Sequence, residues 1–201
     1  ERNHLSEVSQ FCEVTHRGDT VQSAGKRRYL MLNKPVGVLS ATSDKQHTTV
    51  VDLIDLPDRD TLHLAGRLDR SSSGLVLLTN DGEWSASLTE PERKVDKVYL
   101  VETDRPIPPG APERFAEGFP FSPENITTLP AKLEILSPVR ARVTLHEGRY
   151  HQIKRMFHRL DGIRLRSLHR ESIGTLKLPD DLKPGEWREI LPEEVRGGPQ
   201  S

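Results

Sequence analysis

Between positions 139 and 160 the apolar residues change from a strand-like spacing to a helix-like spacing. In the first part they occupy every second position: Val139, Ala141, Val143 and Leu145. In the second part they follow the i, i+3, i+4, i+7 pattern: Ile153, Met156, Phe157 and Leu160. The segment therefore predicts a half-buried strand with a basic outer face, a turn at Glu147-Gly148-Arg149, and a helix over 151–160.

The other apolar runs are short and bounded by turn residues. Strands are predicted at 29–32, 62–65 and 75–79 and from Lys97 onward, and short helices at 48–56 and 83–88. The stretch from Pro106 to Pro112 holds four prolines and one glycine, which predicts a hinge or a rigid connection between two halves. Because strands and helices do not alternate regularly, we expect an α+β fold rather than a doubly wound sheet.

The length of 201 residues fits one domain. Residues 1–28 are polar and weakly periodic, so we interpret them as a linker and assign the domain to residues 29–201. No run approaches the ~18 apolar residues of a membrane span, and the first ten residues lack the apolar core of a signal peptide. We therefore expect a cytoplasmic protein without membrane contact. Cys12 is the only cysteine, which excludes an internal disulfide.

Charge is unevenly distributed along the chain, although the net charge is only −1. Between positions 140 and 170 nine basic residues stand against two acidic ones. The basic residues are Arg140, Arg142, Arg149, Lys154, Arg155, Arg159, Arg164, Arg166 and Arg170. Such a segment can follow a phosphate backbone by neutralising phosphates and releasing counterions. An ordinary solvated surface explains the same charges, and charge alone does not separate the two readings.

One carboxylate has a position that suits catalysis. Asp69 lies between Arg67 and Arg70 in a polar loop that joins two buried apolar runs, and loops supported in this way often carry function. Nearby arginines favour the ionised carboxylate, which can act as a nucleophile or a base. A loop ion pair or an Asx-turn is the structural alternative, and the residues alone leave both open.

Other kinds of site find little support in the sequence. Ser71, Ser72 and Ser73 lack the glycine that precedes the serine of a nucleophile elbow. His146, His151 and His158 lack the carboxylate partners of a metal site. No phosphate-binding or dinucleotide-binding glycine loop is present. We therefore expect neither a cofactor nor a metal.

Four groups of residues carry a resemblance to a known family. In chain order they are Lys34-Pro35 with Gly37, Gly66-Arg67-Leu68-Asp69, Lys97-Val98-Tyr99, and Glu147-Gly148-Arg149-Tyr150-His151-Gln152-Ile153-Lys154-Arg155-Met156. They resemble the ordered motifs of pseudouridine synthases of the RsuA family, in particular of the enzyme for small-subunit (16S) ribosomal RNA. The similarity extends from about Arg28 to the end of the chain.

The resemblance implies a fold and a reaction. The expected fold is a largely antiparallel mixed sheet in two halves, flanked by helices and loops around a central basic active-site cleft. The reaction isomerises uridine in RNA to its C-glycoside, without cofactor or metal. Asp69 would be the catalytic aspartate, and three roles stay open for it: attack on the sugar C1′, addition to the base, or removal of a sugar proton.

Roles for further residues also follow from the resemblance. Tyr99 would stack on the flipped base, Lys154 would pair with Asp69, and Arg67 would fill the space that the base leaves. Ile153 would form an apolar wall. The residues expected to contact RNA are Arg67, Arg149, His151, Gln152 and Arg155. The expected partner is 16S ribosomal RNA, in an assembly intermediate of the small subunit, and the expected state is a monomer.

The chain departs from the family pattern at two places. Ser72 stands where the family often has threonine, so a hydroxyl remains and a methyl group is lost. Relatives normally begin with a small RNA-binding S4 domain, of which residues 1–28 would be a linker or a remnant. The Arg149-Tyr150-His151-Gln152 sequence favours the small-subunit enzyme over large-subunit (23S) relatives, where Asn-Arg-Gln is expected. The alternatives are a 23S rRNA enzyme, a catalytically silent RNA-binding or ribosome-assembly factor, and a hydrolase that releases uracil.

Overall fold

The computed structural model describes residues 11–16, 19–22, 25–191 and 194. The helices are α1 (Gly82–Thr89), α2 (Ala111–Glu117) and α3 (Gln152–His158). The strands are β1 (Val14–His16), β2 (Asp19–Gln22), β3 (Tyr29–Lys34), β4 (His63–Leu64), β5 (Ser73–Thr79), β6 (Lys97–Thr103), β7 (Pro120–Phe121), β8 (Ile126–Thr127), β9 (Lys132–Ser137), β10 (Arg140–Leu145), β11 (Leu165–Ile173), β12 (Leu176–Lys177) and β13 (Trp187–Glu189).

One mixed sheet of nine strands dominates the described part of the chain. Its main path runs β13-β3-β5-β11-β6-β10-β9, with β4 beside β5 and β12 beside β11. All neighbours pair antiparallel except β5 and β11, which are parallel. That single parallel pairing divides the sheet into two antiparallel halves. The predicted α+β fold with a largely antiparallel sheet in two halves is thus confirmed.

The two halves meet over a very short register. Only Ser73 with His169 and Gly74 with Arg170 pair across the junction. Gly74 has a φ of 103°, and a Cβ atom there would lie 2.3 Å from the carbonyl oxygen of Arg170 and 2.6 Å from its nitrogen. Because only glycine avoids both the steric clash and the strained backbone, Gly74 allows the halves to approach this closely.

Helix α3 covers one face of the second half of the sheet. Ile153, Met156 and Phe157 are buried in the same apolar cluster as Val143 of β10 and Leu168 of β11. The predicted strand and helix are therefore confirmed, although the helix spans seven residues and is shorter than expected. Since side chains alternate along a strand, the basic residues of β10 lie on the sheet face opposite α3.

Two sequence predictions need correction. The segment 48–56 forms only a short 3-10 turn, Val51–Leu53, because Thr49 makes a bridge to Leu39 and the Asp52 carboxylate accepts hydrogen bonds from the backbone N–H and the hydroxyl of Thr49. The proline-rich stretch 106–112 does not join the two halves. It connects β6 to α2 within the second half, and the Ile107 N–H donates to the carbonyl of Pro138, 2.7 Å away.

The residues just before β3 contact the sheet domain. Strands β1 and β2 form a small antiparallel hairpin. Arg28 forms a two-pronged ion pair with Asp58, at 2.8 and 3.0 Å, and a bond of 2.8 Å to Glu189. The remaining parts of the predicted leading segment, residues 1–10, 17–18 and 23–24, lie outside the described residues, as does most of the chain after residue 191. None of the helices in the described ranges has the length and apolar character to cross a membrane.

Replacing Gly74 with alanine tests the close junction between the two halves. We expect Gly74→Ala to lower the free energy of unfolding by about 2 to 4 kcal/mol, because the new methyl group displaces the backbone of Arg170. Urea denaturation followed by circular dichroism measures this change. Gly82→Ala is the matched control, since no atom outside its own helix and chain neighbours lies within 4 Å of the added Cβ. Equal urea midpoints for the two variants would contradict the junction as described.

Candidate active site

Asp69 lies between a lysine and a histidine at the junction of the sheet halves. The Lys154 ammonium donates to Asp69 Oδ2 at 2.6 Å, and His151 Nε2 lies 3.3 Å from Oδ1. Lys154 also donates to the Ser71 hydroxyl at 2.9 Å. The Asp69 side chain remains 28% exposed, so a ligand can reach it. Residues more than eighty positions apart are thus assembled around one accessible carboxylate.

A buried arginine fixes the loop that carries this carboxylate. Arg170 is only 1% exposed. Its guanidinium donates to three carbonyl oxygens, those of Leu75 at 2.7 Å and of Arg67 and Gly66 at 3.3 Å each. Since a guanidinium presents its donors in a fixed planar fork, these bonds set the path of the loop just before Asp69.

Ser40 fastens the same loop from the other side. Its hydroxyl donates to the Leu68 carbonyl at 2.7 Å, and the Leu68 N–H donates back to the hydroxyl at 3.0 Å. Within the loop, the Ser72 N–H donates to the Asp69 carbonyl at 3.0 Å. The backbone on both sides of Asp69 is therefore hydrogen-bonded, which limits how far the carboxylate can move.

Lys34 places a second buried positive charge, besides that of Arg170, next to the loop. Its side chain is fully buried, and the ammonium donates to the carbonyls of Ser72 at 2.7 Å and Pro35 at 3.0 Å. Burial lowers the pKa of Lys34 to about 8, while the charge of Asp69 opposes this shift and that of Arg170 adds to it. A buried ammonium at neutral pH thus supports the negative charge of Asp69.

The turn between β10 and α3 is built around one buried carboxylate. Glu147 accepts hydrogen bonds from Gln152 Nε2 at 2.7 Å, Arg149 Nε at 2.8 Å and the Leu129 N–H at 2.8 Å. Gln152 Oε1 accepts from the Arg149 N–H at 3.1 Å. His151 precedes α3 with a φ of 48°, in the left-handed region that few non-glycine residues adopt. The network holds this strained residue beside Asp69.

Two residues expected to contact RNA have side chains that are bonded to other residues of the protein. Gln152 is 3% exposed, and both ends of its amide serve the Glu147 network. Arg155 forms a bidentate pair with Glu124, with both bonds at 2.7 Å, and lies 3.6 Å from the ring centroid of Phe121. Within the protein, Gln152 shapes the turn, and Arg155 connects α3 to the β7–β8 hairpin. The RNA contacts expected for both residues stay predictions.

Tyr99 and Arg67 differ in exposure. Tyr99 lies in the middle of β6, paired with Val143 of β10 and Arg170 of β11, and is 7% exposed. It shares its apolar cluster with Leu68, the neighbour of Asp69. Arg67 has an exposed side chain, while its carbonyl accepts a hydrogen bond from Arg170. Base stacking by Tyr99 and space filling by Arg67 stay predictions.

The basic segment does not form one continuous face. Arg142 pairs with Glu171 at 2.7 Å on the sheet face opposite α3, and Arg170 is buried. Both arginines belong to the basic segment 140–170 of the sequence. The positive charge near Asp69 instead comes from Arg67 in the same loop and from Lys154 of α3.

Comparison with known proteins agrees with this geometry. Residues 28–159 match the family described as RNA pseudouridylate synthase. The chain belongs to this family. It is therefore an RNA pseudouridine synthase, an isomerase, and the α+β architecture is that of its family.

The relatives match most of the chain. The "Ribosomal small subunit pseudouridine synthase A" of Pseudomonas aeruginosa is 50% identical over 96% of this chain and 84% of its own length. The protein of the same name from Escherichia coli K12 is 43% identical over the same shares. A solved structure titled "Crystal structure of pseudouridylate synthase" superposes with a TM-score of 0.82 at 38% identity, covering 96% of this chain and 82% of that one.

The sequence gives little indication of several residues that support the site. Ser40 and Glu124 show no signal by themselves, because each acts through a partner distant along the chain. Glu147 belongs to a recognised motif, but its burial and its bonds to Gln152 and Leu129 are not predicted. Arg170 was noticed only as a surface charge. Lys34 belongs to a recognised motif, yet nothing in its neighbours along the chain indicates that its ammonium is buried beneath Asp69.

The buried ammonium of Lys34 makes stability depend on pH. Lys34 has a pKa near 8 in the folded state and 10.5 in the unfolded state, so the folded protein binds fewer protons between these two pH values. The free-energy penalty of burying the charged ammonium therefore disappears as pH rises above about 8. We expect the stability of the wild type relative to Lys34→Met to increase by about 2 kcal/mol between pH 7.5 and 9.5. Urea titrations of both proteins at several pH values measure this. A pH-independent difference would contradict a charged, buried Lys34.

Proposed function

We propose that this enzyme converts one uridine of 16S ribosomal RNA to pseudouridine, with Asp69 as the reacting group. The observation that carries the proposal is the contact of Asp69 with Lys154 and His151 on a loop anchored at the sheet junction. The small-subunit substrate is supported by the names of the relatives at 50% and 43% identity.

The first requirement is to expose the glycosidic bond. A base inside folded RNA must leave its stack before the bond is accessible, which costs a few kcal/mol. Tyr99 offers the flipped base a ring to stack on, and Arg67, exposed beside the loop, takes the space that the base leaves. Tyr99 pairs with Arg170 in the sheet, and the Arg67 carbonyl accepts a hydrogen bond from the Arg170 guanidinium. The backbones of both residues are therefore held in place.

The second requirement is an ionised carboxylate. Attack on C1′, addition to the base and removal of a sugar proton all need a free lone pair on Asp69. Lys154 stabilises the negative charge through Oδ2, while His151 is near Oδ1. The ion pair therefore serves any of the three roles. The apolar residues Leu68 and Ile153 are buried beside it and restrict water while the uracil is detached.

The third requirement is to hold the RNA chain. Arg149 and His151 are placed to contact phosphates or bases, while Gln152 and Arg155 maintain the turn and α3. We propose that the enzyme acts as a cytoplasmic monomer on ribosomal RNA in an assembling small subunit. The division of the chain at residue 28, and an S4-type origin for the segment before it, stay predictions.

Replacing the carboxylate tests the reaction. Asp69→Asn should form no pseudouridine in 16S rRNA or in a partial small subunit, because the amide has lost the nucleophilic and basic oxygen, while RNA binding stays within about threefold of wild type. Asp60→Asn, in an exposed turn, is the control and should retain full turnover. Pseudouridine is read by chemical modification and primer extension.

Each alternative has its own outcome in this assay. Turnover by Asp69→Asn would contradict the assignment of Asp69 as the reacting group. Binding without product by the wild type, on every rRNA substrate, would indicate a silent assembly factor. Release of free uracil would indicate a hydrolase, and modification confined to 23S rRNA would indicate a large-subunit enzyme.

Replacing Lys154 tests the ion pair. We expect Lys154→Met to lower kcat by about 100-fold, because the developing charges lose a positioned cation. Lys154→Arg should recover part of the rate, since it restores a charged donor with a different shape. Lys183→Met, at an exposed site, is the control. An unchanged kcat in Lys154→Met would remove this residue from the mechanism.

A further inference from the structure

We propose that Tyr150 is a stacking site for a nucleobase that flanks the target uridine. The inference rests on the proposed function, since its ligand is the RNA substrate. It adds a second base-binding position outside the catalytic loop and assigns a role to a residue that neither charge nor catalytic chemistry identifies.

Tyr150 is an exposed aromatic residue in a chain with few aromatics. Tyr150 is 75% exposed. Aromatic residues make up only 5% of the sequence, and four of the five phenylalanines are fully buried. The ring stacks on His151, with centroids 3.9 Å apart and planes 19° apart. One face of Tyr150 is thus covered by imidazole, and the other is open to solvent.

The stacked pair is held in a defined position. His151 adopts a left-handed backbone with a φ of 48°, and its Nε2 lies 3.3 Å from Asp69 Oδ1. On either side, Arg149 and Gln152 are bonded to the buried Glu147. A strained residue that is fixed on both sides presents a rigid surface, which lowers the entropy lost when a ligand binds.

The position of Tyr150 decides which base it can receive. The target base must reach Asp69 itself, and His151, not Tyr150, contacts that carboxylate. A base on the open face of Tyr150 would lie on the side of the ring that faces away from His151. It belongs to a neighbouring nucleotide, whose phosphate Arg149 can contact with its partly exposed guanidinium. Splayed bases of single-stranded RNA are commonly bound by such aromatic stacking.

Kinetics on the rRNA substrate test the stacking site. We expect Tyr150→Ala to raise KM by about tenfold, within the range for loss of one base–aromatic stack, and to leave kcat within about twofold. Tyr150→Phe should behave as wild type because it keeps the ring. Leu136→Ala, which truncates an exposed apolar residue on β9, is the control and should change neither constant. A purely structural role for Tyr150 would lower the urea midpoint and kcat instead.

Modified substrates identify the stacked nucleotide. An abasic residue is placed in turn at each nucleotide next to the target. At one position it should raise the wild-type KM about tenfold and abolish the difference in KM between wild type and Tyr150→Ala.

The inference is overturned if Tyr150→Ala has the wild-type KM, or if its KM defect persists with every abasic substrate. If the wild type itself makes no pseudouridine, the proposed function fails and the stacking site fails with it. Normal wild-type turnover with no effect of Tyr150→Ala rejects the stacking site alone.

Discussion

The guanidinium of Arg170 links the fold of this protein to its chemistry. It extends from β11 across the junction of the sheet halves and donates to the carbonyls of Leu75, Arg67 and Gly66. Burying an arginine is unfavourable unless its donors are satisfied, so the loop before Asp69 must take the path that supplies those carbonyls. The Gly74 backbone approaches closely enough for this only because it lacks a side chain.

The same junction explains how a neutral protein assembles a strongly positive site. Lys34 and Arg170 are buried below the loop, and Lys154 and His151 contact the carboxylate from the side of α3. These side chains come from separate strands and from α3 with its preceding turn, and they converge only where the halves meet. The single carboxylate is therefore held in position, while its remaining exposure leaves it accessible to a ligand.

Local pattern predicted the elements well and their long-range partners poorly. The strand before α3 and the helix itself followed from residue spacing, and the ordered motifs identified Asp69 together with its partner Lys154. The parallel pairing of β5 with β11 joins residues almost a hundred positions apart, so no local periodicity reveals it. Counting charge included Arg170 in a basic segment, because a count cannot distinguish an arginine that faces solvent from one whose guanidinium is buried against backbone carbonyls.

We propose that the site at this junction isomerises one uridine of small-subunit ribosomal RNA. Pseudouridine mapping of total rRNA from cells with and without the gene tests this proposal most directly. We expect one position in 16S rRNA to be modified only when the gene is present, and 23S rRNA to be unchanged. An identical pattern in both strains, or a difference confined to 23S rRNA, would contradict it.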